Sequence, residues 1–211
     1  MQRAHDKLIA SAAKQELGSI GFVRKGRSRI WIADHFWWAT VVEFQPSSWS
    51  KGSYLNVAAH WFWSLNDHLS FDFGGRVEEH IAYASDEQFA EAAVYLARRA
   101  AAEAVKLTDS FRSLSATAAI LVEEERRSST GGWMAYNAGI AAGVAGLSAE
   151  ASEMFTHVLN GFASPDSVLV QAAGRMAALL DQPSDFRDMI NSLIARRRDA
   201  LALPILSSPP L

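Results

Sequence analysis

The chain has 211 residues, enough for one domain or for a domain with an appended subdomain, and its 49% hydrophobic against 20% charged residues excludes a disordered chain. A formal charge of -3 and a pI near 6.1 provide no global field for nucleic acid or anionic lipid. Cysteine is absent, which excludes disulfides, thiolate metal sites and cysteine nucleophiles and permits a reducing cytoplasm.

Residues 2–19 read as a helix, with Leu8, Ile9, Ala12, Ala13, Leu17 and Ile20 at helical spacing and Gly18 and Gly21 at its end. Asp6, Lys7, Lys14 and Glu16 interrupt any apolar run of the kind a signal peptide requires. Phe22-Val23 and Ile30-Trp31-Ile32 then flank VRKGRSR, two short strands with a basic turn, and Asp34-His35 make a second turn.

Five of the seven tryptophans fall within residues 35–63. From 36 to 45 the period is two: Phe36, Trp38, Thr40, Val42 and Phe44 share one face, and Trp37, Ala39, Val41, Glu43 and Gln45 the other. After a Pro/Ser/Gly break, a strand over 53–63 places Leu55, Val57, Ala59, Trp61 and Trp63 on one face and Tyr54, Asn56, Ala58, His60 and Phe62 on the other. The short connection predicts an antiparallel hairpin whose apolar face is covered by the N-terminal helix and a later one.

Gly74-Gly75 reads as a turn. Ser85 to Gln88 opens a helix over 86–107, and Thr108-Asp109 reads as the cap of a second over 110–126, whose charged end, Glu123 to Arg127, is expected to be solvated. Residues 128–149 carry no charge, but they are Ala, Gly and Ser around Asn137, so a buried helix in close contact with others is expected and not a membrane span. Asp166 to Asp181 and Ser184 to Arg198 supply two more helices, and 204–211 reads as a frayed tail. The expected division is an α+β domain over 1–127 and a helical extension over 128–203.

Gly21, Phe22, Lys25, Gly26 and Arg27, followed by Gln45, Ser47, Ser48, Trp49, Tyr54 and Asn56, resemble a bacterial family catalogued as domain of unknown function 4304. The resemblance covers about residues 5–125 and implies an α+β fold without an established activity. Downstream, Asn137, Gly139, Gly146, Ala151 and Phe155 are similar to one tetratricopeptide-type helix pair, with Gly139 and Ala151 as small packing positions and Phe155 as the large one. Ala142 stands where that repeat has an aromatic, Pro165 comes two residues late, and no second copy follows.

The chemistry-bearing residues form few patterns. His60, His68 and His80 with Asp67, Asp72, Glu78 and Glu79 match no metal-ligand spacing, so neither metal nor cofactor is expected. Ser47, Ser48 and Ser50 lack the glycine-framed elbow of a nucleophile. Arg24, Lys25, Arg27 and Arg29 form a basic cluster that an acidic protein could use; the acidic balance of the chain argues against nucleic acid. Glu43, Gln45, Asn56 and His60, framed by Trp37, Trp49 and Tyr54, form the candidate ligand or partner face.

The expected fold class is therefore α+β: an N-terminal helix, an antiparallel β-sheet of three to five strands packed by helices, and a C-terminal α-helical bundle. The expected role is a non-catalytic cytoplasmic binding module with a protein partner, immunity-like or accessory by analogy. The alternative is a small-ligand binder or enzyme using Glu43, Asn56 and His60.

Overall fold

A computed structural model of the chain describes residues 4–66, 68–161, 164 and 166–211. Asp67 and Pro165, both considered above, lie outside the described residues. The chain forms two compact units, residues 1–60 with 69–109, and 61–68 with 110–211. The change falls at Ser110, where the sequence reading put it after Arg127.

The first unit carries the sheet. Helix α1 (Ala4–Glu16) buries Ile9, Ala12 and Ala13 and passes into a 3-10 turn closed by Gly21 at φ 87°, a left-handed conformation that favours glycine. Five strands follow: β1 (Val23–Arg24), β2 (Ile30–Asp34), β3 (Trp38–Glu43), β4 (Gly52–Trp61) and β5 (Phe73–Ala82). They lie in sequence order, each bonded to the next, with antiparallel register at β1/β2, β2/β3 and β4/β5.

The strands are shorter than the sequence reading: the run over 36–45 is a strand only from Trp38 to Glu43, and the one over 53–63 ends at Trp61. Phe36 does not continue the face of Trp38. It turns out at φ 71° in a tight turn where Asp34 Oδ1 accepts from its N–H at 2.9 Å. Gly74 and Gly75 do not make a turn but lie inside β5, where a Cβ on Gly74 would come 2.7 Å from the Val57 carbonyl oxygen. Glycine is needed there for strand approach, and Arg76, Glu78, Glu79 and His80 conceal the alternation.

Helix α2 (Asp86–Ser110) starts where Ser85 caps it, its hydroxyl accepting from Gln88 N–H at 3.3 Å while the Gln88 side chain accepts from Ala84 N–H at 3.1 Å. Helices α1 and α2 supply Ile9, Ala13, Phe89, Leu96 and Ala100, and the turn after α1 supplies Leu17, to one core with Trp31, Val42, Phe44, Leu55 and Val57. The part of the apolar sheet face formed by Trp31, Val42, Phe44, Leu55 and Val57 is thus covered by these two helices, whereas Trp61 and Trp63, expected on the same face, lie in the second unit. Each such buried aliphatic or aromatic side chain contributes about 1.5–3 kcal/mol of transfer free energy.

The second unit is helical: α3 (Leu114–Ser128), α4 (Trp133–Val144), α5 (Ser148–Leu159), α6 (Val168–Ala177) and α7 (Pro183–Ala200). Thr108-Asp109 do not cap α3. The Thr108 hydroxyl is spent on the Ala104 carbonyl within α2, and Ser113 caps α3 by accepting from Ala116 N–H at 3.2 Å. The uncharged stretch forms α4, buried on nearly every face. Its small residues admit rings: a Cβ on Gly139 would stand 2.7 Å from the Phe155 ring of α5, and one on Gly143 2.6 Å from the Phe186 ring of α7. Among the described residues no helix is long and apolar enough to cross a membrane.

Trp61 and Trp63 stack at 5.5 Å, Trp61 meets Phe111 edge-on, and Trp63 Nε1–H donates to Asn137 Oδ1 at 3.1 Å. The charged run at the end of α3 is not wholly solvated. Glu125 is fully buried and accepts from Thr130 Oγ1–H and Gly131 N–H, both at 2.8 Å, which fixes the turn into α4.

Candidate functional site

The residues nominated on the polar sheet face divide into two sets. The first is centred on Asn56, which is buried on β4. Its Nδ2–H donates to Glu43 Oε2 at 2.9 Å and to Gln45 Oε1 at 3.0 Å. Period-two alternation places all three on one face, and the β3/β4 pairing brings them abreast. The set closes through a residue the sequence reading missed. Arg76, opposite Asn56 in the β4/β5 register, donates from Nε to Asn56 Oδ1 at 2.8 Å and from Nη2 to Gln45 Oε1 at 2.8 Å. Its guanidinium lies 4.1 Å from the Tyr54 ring centroid, and Tyr54 in turn leans on His80 at 5.0 Å. Arg76 was invisible because the glycine pair before it suggested a turn, not a strand facing Asn56.

Much of the hydrogen-bonding capacity of this set is spent within it. Both Nδ2 protons of Asn56 are used, Gln45 accepts twice, and the one cation is bonded to two amide oxygens and stacked on a phenol ring. A general acid or base needs a proton position open to substrate. Here one oxygen of the Glu43 carboxylate, Oε2, is taken by Asn56 Nδ2–H.

The second set is His60 with Ser70 and Asp72. His60 is fully buried, four residues along β4 from Asn56, and its Nδ1 lies 3.0 Å from Ser70 Oγ and 3.1 Å from Asp72 Oδ2. Ser70 Oγ–H donates to Asp72 Oδ1 at 2.7 Å. A serine-nucleophile relay needs serine and carboxylate on opposite ring nitrogens of the histidine. Both here face Nδ1, and the serine proton goes to the carboxylate. The cluster therefore pins the chain entering β5 against β4. His60 and Glu43 are not brought together as an acid-base pair.

The framing aromatics separate as well. Trp37 is buried and tilted on Trp38 at 5.9 Å. Tyr54 is half-buried under Arg76. Trp49 stands 94% exposed at the tip of the loop between β3 and β4, where its N–H donates to Ser47 Oγ at 3.1 Å.

The basic cluster is likewise not one surface. Arg29 turns inward: its Nε–H donates to Asp6 Oδ1 at 2.7 Å, and its Nη1 donates to the Gly52 carbonyl at 3.1 Å and the Phe44 carbonyl at 3.3 Å. Arg24 Nε–H is used on the Ser28 carbonyl at 2.7 Å, fixing the turn after β1. Lys25 and Arg27 remain exposed at that turn. Because Phe44 N–H also donates to the Arg29 carbonyl at 3.0 Å, the 25–29 turn and the 46–51 loop leave the same end of the sheet.

His35 stacks on Trp38 at 4.2 Å with Nε2 3.0 Å from Thr40 Oγ1; burial pushes its pKa below 6.5, against the opposing charge of Asp34. Among the described residues no group of three or more His, Asp or Glu side chains is arranged to hold a metal ion. No family model, no curated protein and no solved structure matches the chain.

Proposed function

We propose that the protein is a non-catalytic binding module that engages a protein partner through the loop end of its sheet. The observation that carries this reading is Trp49. A large indole is almost wholly in water on a short turn held by its own serine hydrogen bond, with Lys25, Arg27 and Lys51 exposed at the same end. Tryptophan and arginine dominate the energetics of protein interfaces, and an indole on a constrained turn loses little entropy when it docks. Exposed cations beside it favour a partner with an apolar pocket rimmed by carboxylates. The network around Asn56 supports the same reading, since Glu43, Gln45, Asn56 and Arg76 are already engaged with one another.

The resemblance to domain of unknown function 4304 belongs to this proposal. It is supported by Gly21 at φ 87° and Gly26 at φ 55°, two positions of its opening element where other residues are strained. An immunity-like or accessory role in the cytoplasm is the setting that suits such a module.

The test is a comparative capture from bacterial lysate with the intact chain, Trp49→Ala and the pair Lys25→Glu/Arg27→Glu as baits. One band should be retained by the intact chain, be lost with Trp49→Ala and weaken with the charge pair, while all three baits melt alike. Equal recovery on the intact chain and Trp49→Ala would remove the proposal.

A further inference from the structure

The helical unit holds a cleft of about 750 Å³ walled by α4, α6, α7 and the 64–65 segment, all within the second unit. That volume lies within the range of small-ligand pockets. Its walls are chiefly apolar, with Leu65, Val168, Met176, Met189 and Leu193 among them. Methionine side chains adapt to irregular apolar shapes, which suits a ligand body of hydrocarbon or aryl character.

Three arginines stand on the same cleft: Arg175 from α6, and Arg196 and Arg197 from α7. Arg197 is buried and donates from Nη2 to the Ser64 carbonyl at 3.2 Å, holding the 64–65 wall in place. Arg175 and Arg196 are exposed at the rim, with no carboxylate within 4.0 Å among the described residues. Among the described residues no acidic side chain lines the cleft.

The decisive group is Tyr136 of α4. It lines the cleft and is fully buried, yet its hydroxyl has no hydrogen-bond partner among the described protein atoms. A buried hydroxyl left unmatched costs about 1–3 kcal/mol, so such groups call for a physical reason. Burial also raises its pKa, with Arg175 opposing, so it stays a proton donor at any physiological pH.

We propose that this cleft binds a small organic carboxylate with an apolar body: the carboxylate meets Arg175 and Arg196 and accepts from Tyr136 Oη–H, and the body lies along Met176, Met189 and Leu193. One buried donor, two rim cations and an apolar wall together specify an amphipathic monoanion rather than a sugar, a nucleotide or a neutral lipid. This site is independent of the loop-end surface proposed above, because every residue named belongs to the other unit.

The test uses the full chain with sodium decanoate as the anionic probe and decan-1-ol as its neutral match, followed by isothermal titration calorimetry. Saturable one-to-one decanoate binding is expected, at least tenfold tighter than decanol. Arg175→Ala/Arg196→Ala should weaken decanoate at least tenfold and leave decanol unchanged. Tyr136→Phe should weaken decanoate several-fold while the unliganded protein melts no lower than wild type, since the deleted hydroxyl had no partner to lose. A tyrosine with a merely structural role would lower the melting temperature instead. The proposal is overturned if decanoate does not saturate below 1 mM, if decanol binds as well, if Tyr136→Phe melts lower without losing affinity, or if only an acidic peptide binds.

Discussion

Replacing Asn56 by Ala separates a closed structural network from a working site. Asn56 carries three hydrogen bonds, two of them to charged groups, at 2.9, 3.0 and 2.8 Å. A neutral bond contributes about 0.5–1.5 kcal/mol net and one to a charged group about 1.5–3. The partners are not all trapped, however. The Arg76 side chain is 36% exposed and keeps its bond to Gln45, and Glu43 is only half-buried, so both regain water when Asn56 is removed. With that discount the loss should be roughly 2–3 kcal/mol. It is measured as a shift of the urea midpoint followed by circular dichroism, with unchanged slope. Arg76→Ala should cost less by itself, and the double variant should fall short of the sum by about 1 kcal/mol, because the two share a bond. Partner capture should survive at denaturant-free temperatures well below melting. If Asn56→Ala leaves stability within about 0.5 kcal/mol and abolishes capture, the network is the binding surface and not a closed structural set.

Four further outcomes follow from the same geometry. Trp61→Ala, at a fully buried position stacked on Trp63, should cost about 3–5 kcal/mol, whereas Trp49→Ala should stay within about 0.5; paired thermal melts read both. Gly139→Ala improves helix propensity by about 1 kcal/mol but drives a methyl to 2.7 Å from the buried Phe155 ring, so net destabilisation is expected, relieved when Phe155→Leu is added. If Gly139→Ala raises the melting temperature, the close helix approach is absent. For His35, whose folded pKa lies below its ordinary value of 6.5, the unfolded chain takes the proton first as pH falls, so the fold loses stability on acidification from about pH 6.5. His35→Gln removes that dependence; the gap between its urea midpoint and that of wild type should therefore narrow or reverse between pH 7.5 and 5.5, and a constant gap refutes the sign.

Periodicity made the hairpin and its covering helices legible because Val42, Phe44, Leu55 and Val57 recur at a period of two on one face. The close approach of α4 and α5 was also legible, since Gly139 and Phe155 stand where a tetratricopeptide-type helix pair has its small and large packing residues. What stayed hidden shares one cause. β5 is an edge strand, and its residues are charged, half-exposed or glycine, so its alternation never separates apolar from polar. With β5 unseen, Arg76 had no address, and the Glu43, Gln45, Asn56 group looked open when a cation closes it. His60 failed differently. Alternation correctly put it on the Asn56 face, but a strand advances about 3.3 Å per residue, so four residues carry it beyond reach of Glu43. A shared face is not a shared site.

Satisfaction of polar groups then decides where function can sit. A donor that already has its partners cannot recognise a ligand without first losing them, which costs about what the new bond returns. By that criterion Asn56 and Arg29 are spent, while the loop end with Trp49 and the cleft with Tyr136 keep unspent capacity. Each is built within one unit, so their effects should separate. Trp49→Ala should leave decanoate affinity unchanged, and Tyr136→Phe should leave partner capture unchanged. A cross-effect larger than about threefold would mean a coupling free energy near 0.7 kcal/mol between them. By reciprocity the anion would then be a regulator of the partner contact, and decanoate added to the capture assay should change recovery by the same factor.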